Sequence, residues 1–381
     1  MSVSDRLRDK RVVICAGSGG VGTTPCSAAI AMGLAAEGKR VAVVTIDPAK
    51  RLANSLGLEQ LGNEPRLVDP SRFEGHGIEI TGELWAMMLD PKRTFDELIE
   101  RLAPDRATAD EILANRIYRE LSSAVAGSQE FTAVAKLYDL DRSGDFDAIV
   151  LDTPPSRNAL DFLDAPDRLT GFLEGRALRV FLAPSGLAAK VVGRSTGVVF
   201  SVLRRVTGVD LMDDLSVFFR ALSGVLEGFR ERASAVKAVL SDPATTFLIV
   251  TSPEREPVEE AIFFHGKLVE ARMPFGGLVV NRVHPLADDA QPVDVAELTA
   301  DLDGDAALAR KVARTLDEFR ILAHRDAAAI ERLRHELGED EPILVPHLDG
   351  DVHDVDGLVA VHKHLFAEAG ERDALLAEAA F

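Results

Sequence analysis

Seven short apolar runs, rich in β-branched residues and separated by stretches of helical periodicity, constrain this chain of 381 residues most. They lie at 11–17, 40–47, 84–90, 146–154, 246–253, 276–283 and 342–348. Strands that are apolar at successive positions are buried on both faces, and such strands alternating with helices build a mainly parallel sheet covered on both sides. The expected fold class is therefore α/β, a doubly wound, mainly parallel sheet. No internal repeat is present, so one domain over 1–381 is the economical division. Its length is explained by helical insertions at 91–142 and 164–242 that form a helical subdomain. In the second insertion Leu215, Phe218, Leu222, Val225, Phe229, Ala233, Val236 and Leu240 recur at three- and four-residue steps. This predicts an amphipathic helix opened by Asp213 and Asp214 and ended before Pro243. A charged stretch at 306–337 predicts a surface helix.

The first run leads into a glycine-rich turn, Gly17-Ser18-Gly19-Gly20-Val21-Gly22-Thr23-Thr24-Pro25, and then into a helical stretch. A strand, a glycine turn and a helix in that order bring backbone N–H groups and a helix N-terminus to bear on one point, which suits phosphate. Two registers stay open on the loop alone. Gly17, Gly19 and Gly22 fit the dinucleotide fingerprint, with Asp47 near the place of a ribose-binding acid. Alternatively, Gly17 and Gly22 followed by Thr23 and Thr24 fit a Walker A loop whose lysine has been replaced.

Further segments decide between them. Asp47 stands in TIDPAKRLANSLG, Asp152 in VLDTPPSRNALDFL, Asn281 in GGLVVNR, and Pro346 begins PHLDGDVHDVDGL. In order and spacing these resemble the ArsA-type ATPases, the family of the arsenite-pump ATPase and of the guided-entry factor for tail-anchored membrane proteins. The likeness covers nearly the whole chain and is strongest to actinobacterial ArsA-like members. It implies a P-loop NTPase fold of the deviant Walker A type, with ATP/ADP and Mg as cofactors. By position it gives Gly17, Ser18, Gly19, Gly20, Val21, Gly22, Thr23 and Thr24 to the nucleotide phosphates, and Thr24, with Asp152 through water, to magnesium. Asp47 would activate the attacking water, Asn281 would read adenine, and Pro346 would flank the ring. The resemblance also implies a dimer, either a homodimer or a heterodimer with a paralogous ATPase, and a hydrophobic client.

The loop departs from that family where its chemistry is concentrated. Ser18 and Thr23 stand where the family has lysines, and Pro25 removes a backbone N–H from the first helical turn. Each charged hydrogen bond to phosphate contributes about 1.5–3 kcal/mol, so hydrolysis is expected to be slow or lost. Lys50, Arg51 and Arg157 are the candidate substitute cations. Two readings of different class follow, a slow ATPase and a pseudo-ATPase partner subunit, with a dinucleotide-binding protein as a third.

The formal net charge of −19 excludes a general electrostatic grip on nucleic acid. Against it, 175–209 carries Arg176, Arg179, Lys190, Arg194, Arg204 and Arg205 with no acid, in an apolar, glycine-interrupted setting suited to a client or an anionic membrane surface. The two cysteines, Cys15 and Cys26, form no C-x-x-C pair, so neither a disulfide framework nor a cysteine zinc site is expected. The N-terminal segment lacks the form of a signal peptide, and no uninterrupted apolar stretch reaches the roughly 18 residues of a membrane span. The expected location is cytoplasmic, with the periphery of a membrane as the alternative.

Overall fold

The computed structural model describes residues 2–46, 51–116, 118, 129–153, 225–285, 294–348, 350 and 352–379. Among them, eight strands form one sheet: β1 (Val12–Gly17), β2 (Arg40–Thr45), β3 (Arg66–Leu67), β4 (Glu83–Met88), β5 (Ala148–Asp152), β6 (Thr245–Thr251), β7 (Phe275–Val283) and β8 (Ile343–Pro346). Their order is β3-β4-β2-β5-β1-β6-β7-β8. All pairs are parallel except β3 with β4. Each of the seven apolar runs supplies a strand. The eighth, β3, is two exposed residues at the sheet edge, too short and too polar to carry a periodic signal.

Both faces are covered, as the continuous apolar runs require. Val13, Cys15, Val41, Val43, Val150 and Val250 belong to a core shared with helix Thr23–Ala36 and helix Val355–Phe366. The alternate residues Ile14, Val44, Leu151 and Phe247 are buried as well. On Phe247 the Phe264 ring of helix Arg255–Ala271 packs edge-on, with centroids 6.4 Å apart. Helix Ala306–Leu337 buries a stripe of Ala309, Ala313, Ala323, Asp326, Ile330, Leu333 and Leu337. The fully buried Asp326 carboxylate accepts from the His284 backbone N–H at 3.0 Å and hydrogen-bonds His284 Nδ1 at 2.8 Å, which ties this helix to the end of β7.

The chain divides into two compact units, 1–88 with 143–160 and 241–381, and 89–142 with 161–240. The first holds the sheet. In the second, the described helices are Pro91–Leu102, Arg106–Ala114, Gln129–Ser143 and Leu226–Leu240. The amphipathic helix expected from Asp213 is described from Leu226 onward, and its earlier part lies outside the described residues. Asp139 joins this unit's helices by pairing with Arg101 at 2.7 Å and with Arg232.

Candidate functional site

Gly17 closes β1 at the centre of the sheet, with β5 on one side and β6 on the other. An added Cβ there would collide with the Val250 carbonyl oxygen, so only glycine lets the chain leave the sheet at this point. Gly20 and Gly22 take positive φ of 85° and 93°, a conformation that L side chains resist. Gly22 is the N-cap of helix Thr23–Ala36 and provides no side-chain cap. The first turn of that helix therefore presents the Thr23 and Thr24 N–H groups outward. Pro25 contributes none, and the ladder closes with Cys26 N–H on Gly22 O at 3.1 Å.

Asp152, the last residue of β5, lies beside both neighbouring strands in register, opposite Cys15 of β1 and Thr45 of β2. Its Oδ2 accepts from Thr24 Oγ1 at 2.7 Å and from Thr45 Oγ1 at 2.8 Å, all three side chains being buried. A carboxylate with hydroxyls beneath a phosphate-type loop is a hard oxygen donor set, the kind that magnesium prefers. The chemistry of these residues fits the ion. Nothing in the sequence points to Thr45, because a threonine inside an apolar run reads as an ordinary strand residue until β5 is set beside it.

Asn281, near the end of β7, is buried, and its Nδ2 donates to Val21 O at 2.8 Å. The amide thus holds the loop from 260 residues away in sequence. Pro346 closes β8 and is buried opposite Val283. Asp47 and Lys50 lie outside the described residues, as do Arg157 and 175–209.

Above the loop is a cleft of about 390 Å³, lined by Ser18, Gly19, Gly20, Gly22, Thr23, Thr24, Pro25, Arg51, Asn54, Thr153, Arg282, Val352 and His353. Of the candidate cations, Arg51 reaches this cleft, at the start of helix Arg51–Ser55. Arg282 carries no signal in the sequence, where it reads as a residue near the end of a strand. No acid lines the cleft among the described residues, although the chain carries −19 overall. Two guanidiniums, a helix N-terminus and two left-handed glycines converge on one concavity, and that arrangement favours an anion.

Both cysteines are fully buried at the root of the loop. Burial pushes the Cys15 thiol up to about 12 and raises Cys26 further. Enclosed in the core, neither sulfur is exposed to a soft metal or metalloid in this fold.

A family model described as anion-transporting ATPase matches residues 10–321. Among individual relatives, a protein of Aquifex aeolicus named putative arsenical pump-driving ATPase 1 is 28% identical, over 72% of this chain and 64% of its own length. ATPase GET3C of Arabidopsis thaliana is 25% identical, over 74% of this chain and 69% of its own. ATPase GET3 of Malassezia globosa is 26% identical, over 64% and 63%. The chain thus spans about two thirds of the length of these relatives.

Proposed function

The chain belongs to the anion-transporting ATPase family, and from that premise we propose that it binds ATP with magnesium in the cleft above Gly17–Pro25 and hydrolyses it slowly. The observation that carries this reading is the cleft itself, cationic and free of lining acids among the described residues in a strongly acidic protein. The glycine turn and the N–H groups of Thr23 and Thr24 would hold the β- and γ-phosphates. Thr24 and Asp152 would hold magnesium, directly and through water. Bound there, the ion supplies charge neutralisation at the phosphate oxygens. Asp47 would orient and deprotonate the attacking water, and Asn281 with Pro346 would border the base.

Slow turnover follows from what the loop lacks. Ser18 and Thr23 bring hydroxyls where the family resemblance places lysines, and Pro25 withholds an N–H. In phosphoryl transfer, positioned cations that meet the developing charge usually supply much of the rate enhancement. Without the two lysines the loop itself offers the phosphates backbone dipoles and hydroxyls but no charge, so binding survives better than hydrolysis.

Names such as arsenical pump-driving ATPase and ATPase GET3 attach to the relatives. For this chain the fully buried thiols weigh against a metalloid. The basic, apolar segment 175–209 weighs toward a hydrophobic client or an anionic membrane surface gated by a nucleotide-dependent dimer. No helix among the described residues is long and apolar enough to cross a membrane. A partner subunit that has given up hydrolysis is the second reading, favoured by the same lysine replacements.

Titration of the purified chain with Mg-ATP, followed by phosphate release, tests the proposal. Binding with slow turnover that Asp47→Asn abolishes supports it. Binding without turnover favours the partner-subunit reading, preference for NAD or FAD the dinucleotide one, and no binding of any nucleotide overturns the proposal.

A further inference from the structure

The pairing of β7 with β8 slips by one residue just where β7 reaches the cleft. Val280 lies opposite Leu344, but Val283 lies opposite Pro346, so Asn281 and Arg282 together face one residue of β8. That is a β-bulge, and bulges beside functional sites re-aim side chains that strict alternation would send to opposite faces. Asn281 turns to the loop and donates to Val21 O, while Arg282 lines the cleft.

The bulge puts Arg282 at φ 60°, one of three non-glycine residues with positive φ among those described. A left-handed backbone is the one that glycine ordinarily takes. An exposed arginine there holds its backbone in a sparsely populated conformation. Local strain of this kind collects at ligand-binding positions.

We propose that Arg282 is the cation that contacts the nucleotide's phosphates, taking over part of the role of the lysines replaced by Ser18 and Thr23. This rests on the nucleotide reading of the cleft. A guanidinium presents a planar fork of donors suited to bidentate contact with phosphate oxygens, and β7 brings it to the cleft from outside the loop.

The test compares wild type, Arg282→Gly and Arg282→Lys by calorimetric titration with Mg-ATP and, separately, with magnesium pyrophosphate. Arg282→Gly should raise the melting temperature, because glycine relaxes the bulge, yet weaken both ligands by about tenfold or more, as loss of a charged hydrogen bond predicts. Arg282→Lys should recover part of that affinity. Equal binding by wild type and Arg282→Gly overturns the assignment while leaving the nucleotide reading intact. A loss confined to ATP with pyrophosphate unaffected also overturns it, since Arg282 would then touch the base or sugar. Failure of wild type to bind either ligand removes the nucleotide reading and this inference with it.

Discussion

Replacing Gly22 by alanine probes the loop at its tightest point. The residue sits at φ 93°, and a Cβ built on it would collide with Nδ2 of Asn281, the atom that donates to Val21 O at 2.8 Å. Two costs follow. The left-handed conformation costs a non-glycine residue about 1–2 kcal/mol. Displacing the amide leaves the buried Val21 carbonyl short of its donor, for about 1–3 kcal/mol. Gly22→Ala should therefore lower stability by about 2–5 kcal/mol. Asn281→Ala removes the same hydrogen bond and should cost about 1–3 kcal/mol by itself. The double variant is the sharper measurement. The hydrogen bond is lost only once and truncation of Asn281 clears the space for the new methyl group, so the double variant should be no less stable than Gly22→Ala alone. The coupling should be about 1–3 kcal/mol. Trp85, the single tryptophan, lies on β4 of the same sheet, so urea unfolding followed by its fluorescence reads the unit that contains the loop. Strict additivity of the two substitutions, or a Gly22→Ala variant as stable as wild type, would refute the reasoning.

Two predictions concern the packing beneath the loop. Burial, reinforced by neighbouring Lys363, lowers His362 to about 4, so between pH about 6.5 and about 4 the unfolded chain takes up the proton first. Stability is thus full above pH about 6.5 and falls as the pH drops through this window, by about 3 kcal/mol at about 1.4 kcal/mol per pH unit. His362→Phe should flatten that part of the profile, and an unchanged acid slope would assign it to other groups. Gly33 lets helix Thr23–Ala36 meet helix Val355–Phe366, because a Cβ there would run into the Phe366 ring and His362 Cδ2. Overpacking at about 1–3 kcal/mol should outweigh the helix-propensity gain of about 1 kcal/mol, so Gly33→Ala should lower the urea midpoint. A raised midpoint would show that the two helices separate without penalty.

Much of this architecture is legible because its signals are local. Continuous β-branched runs cannot be satisfied except between two covered faces, and all seven are strands of one sheet. A glycine turn between strand and helix has few uses, and residues 17 to 22 form the expected loop. Asp152 is readable as the acid at a strand end. The edge strand Arg66–Leu67 is not, since two exposed residues have no period to detect.

What the sequence determined by itself was the set of elements, the family to which their order belongs, and the residues of the glycine loop. The tertiary structure alone decided which distant residues share the site. Thr45 meets Asp152 across 107 positions because β2 pairs with β5, and Asn281 reaches Val21 across 260 because β1, β6 and β7 lie side by side. Arg282 enters the cleft through a one-residue slip between β7 and β8. Periodicity and turn sterics act within a few residues and so are written in the chain. Strand register is settled only when long-range pairs compete for the same edge, and that competition takes place in three dimensions.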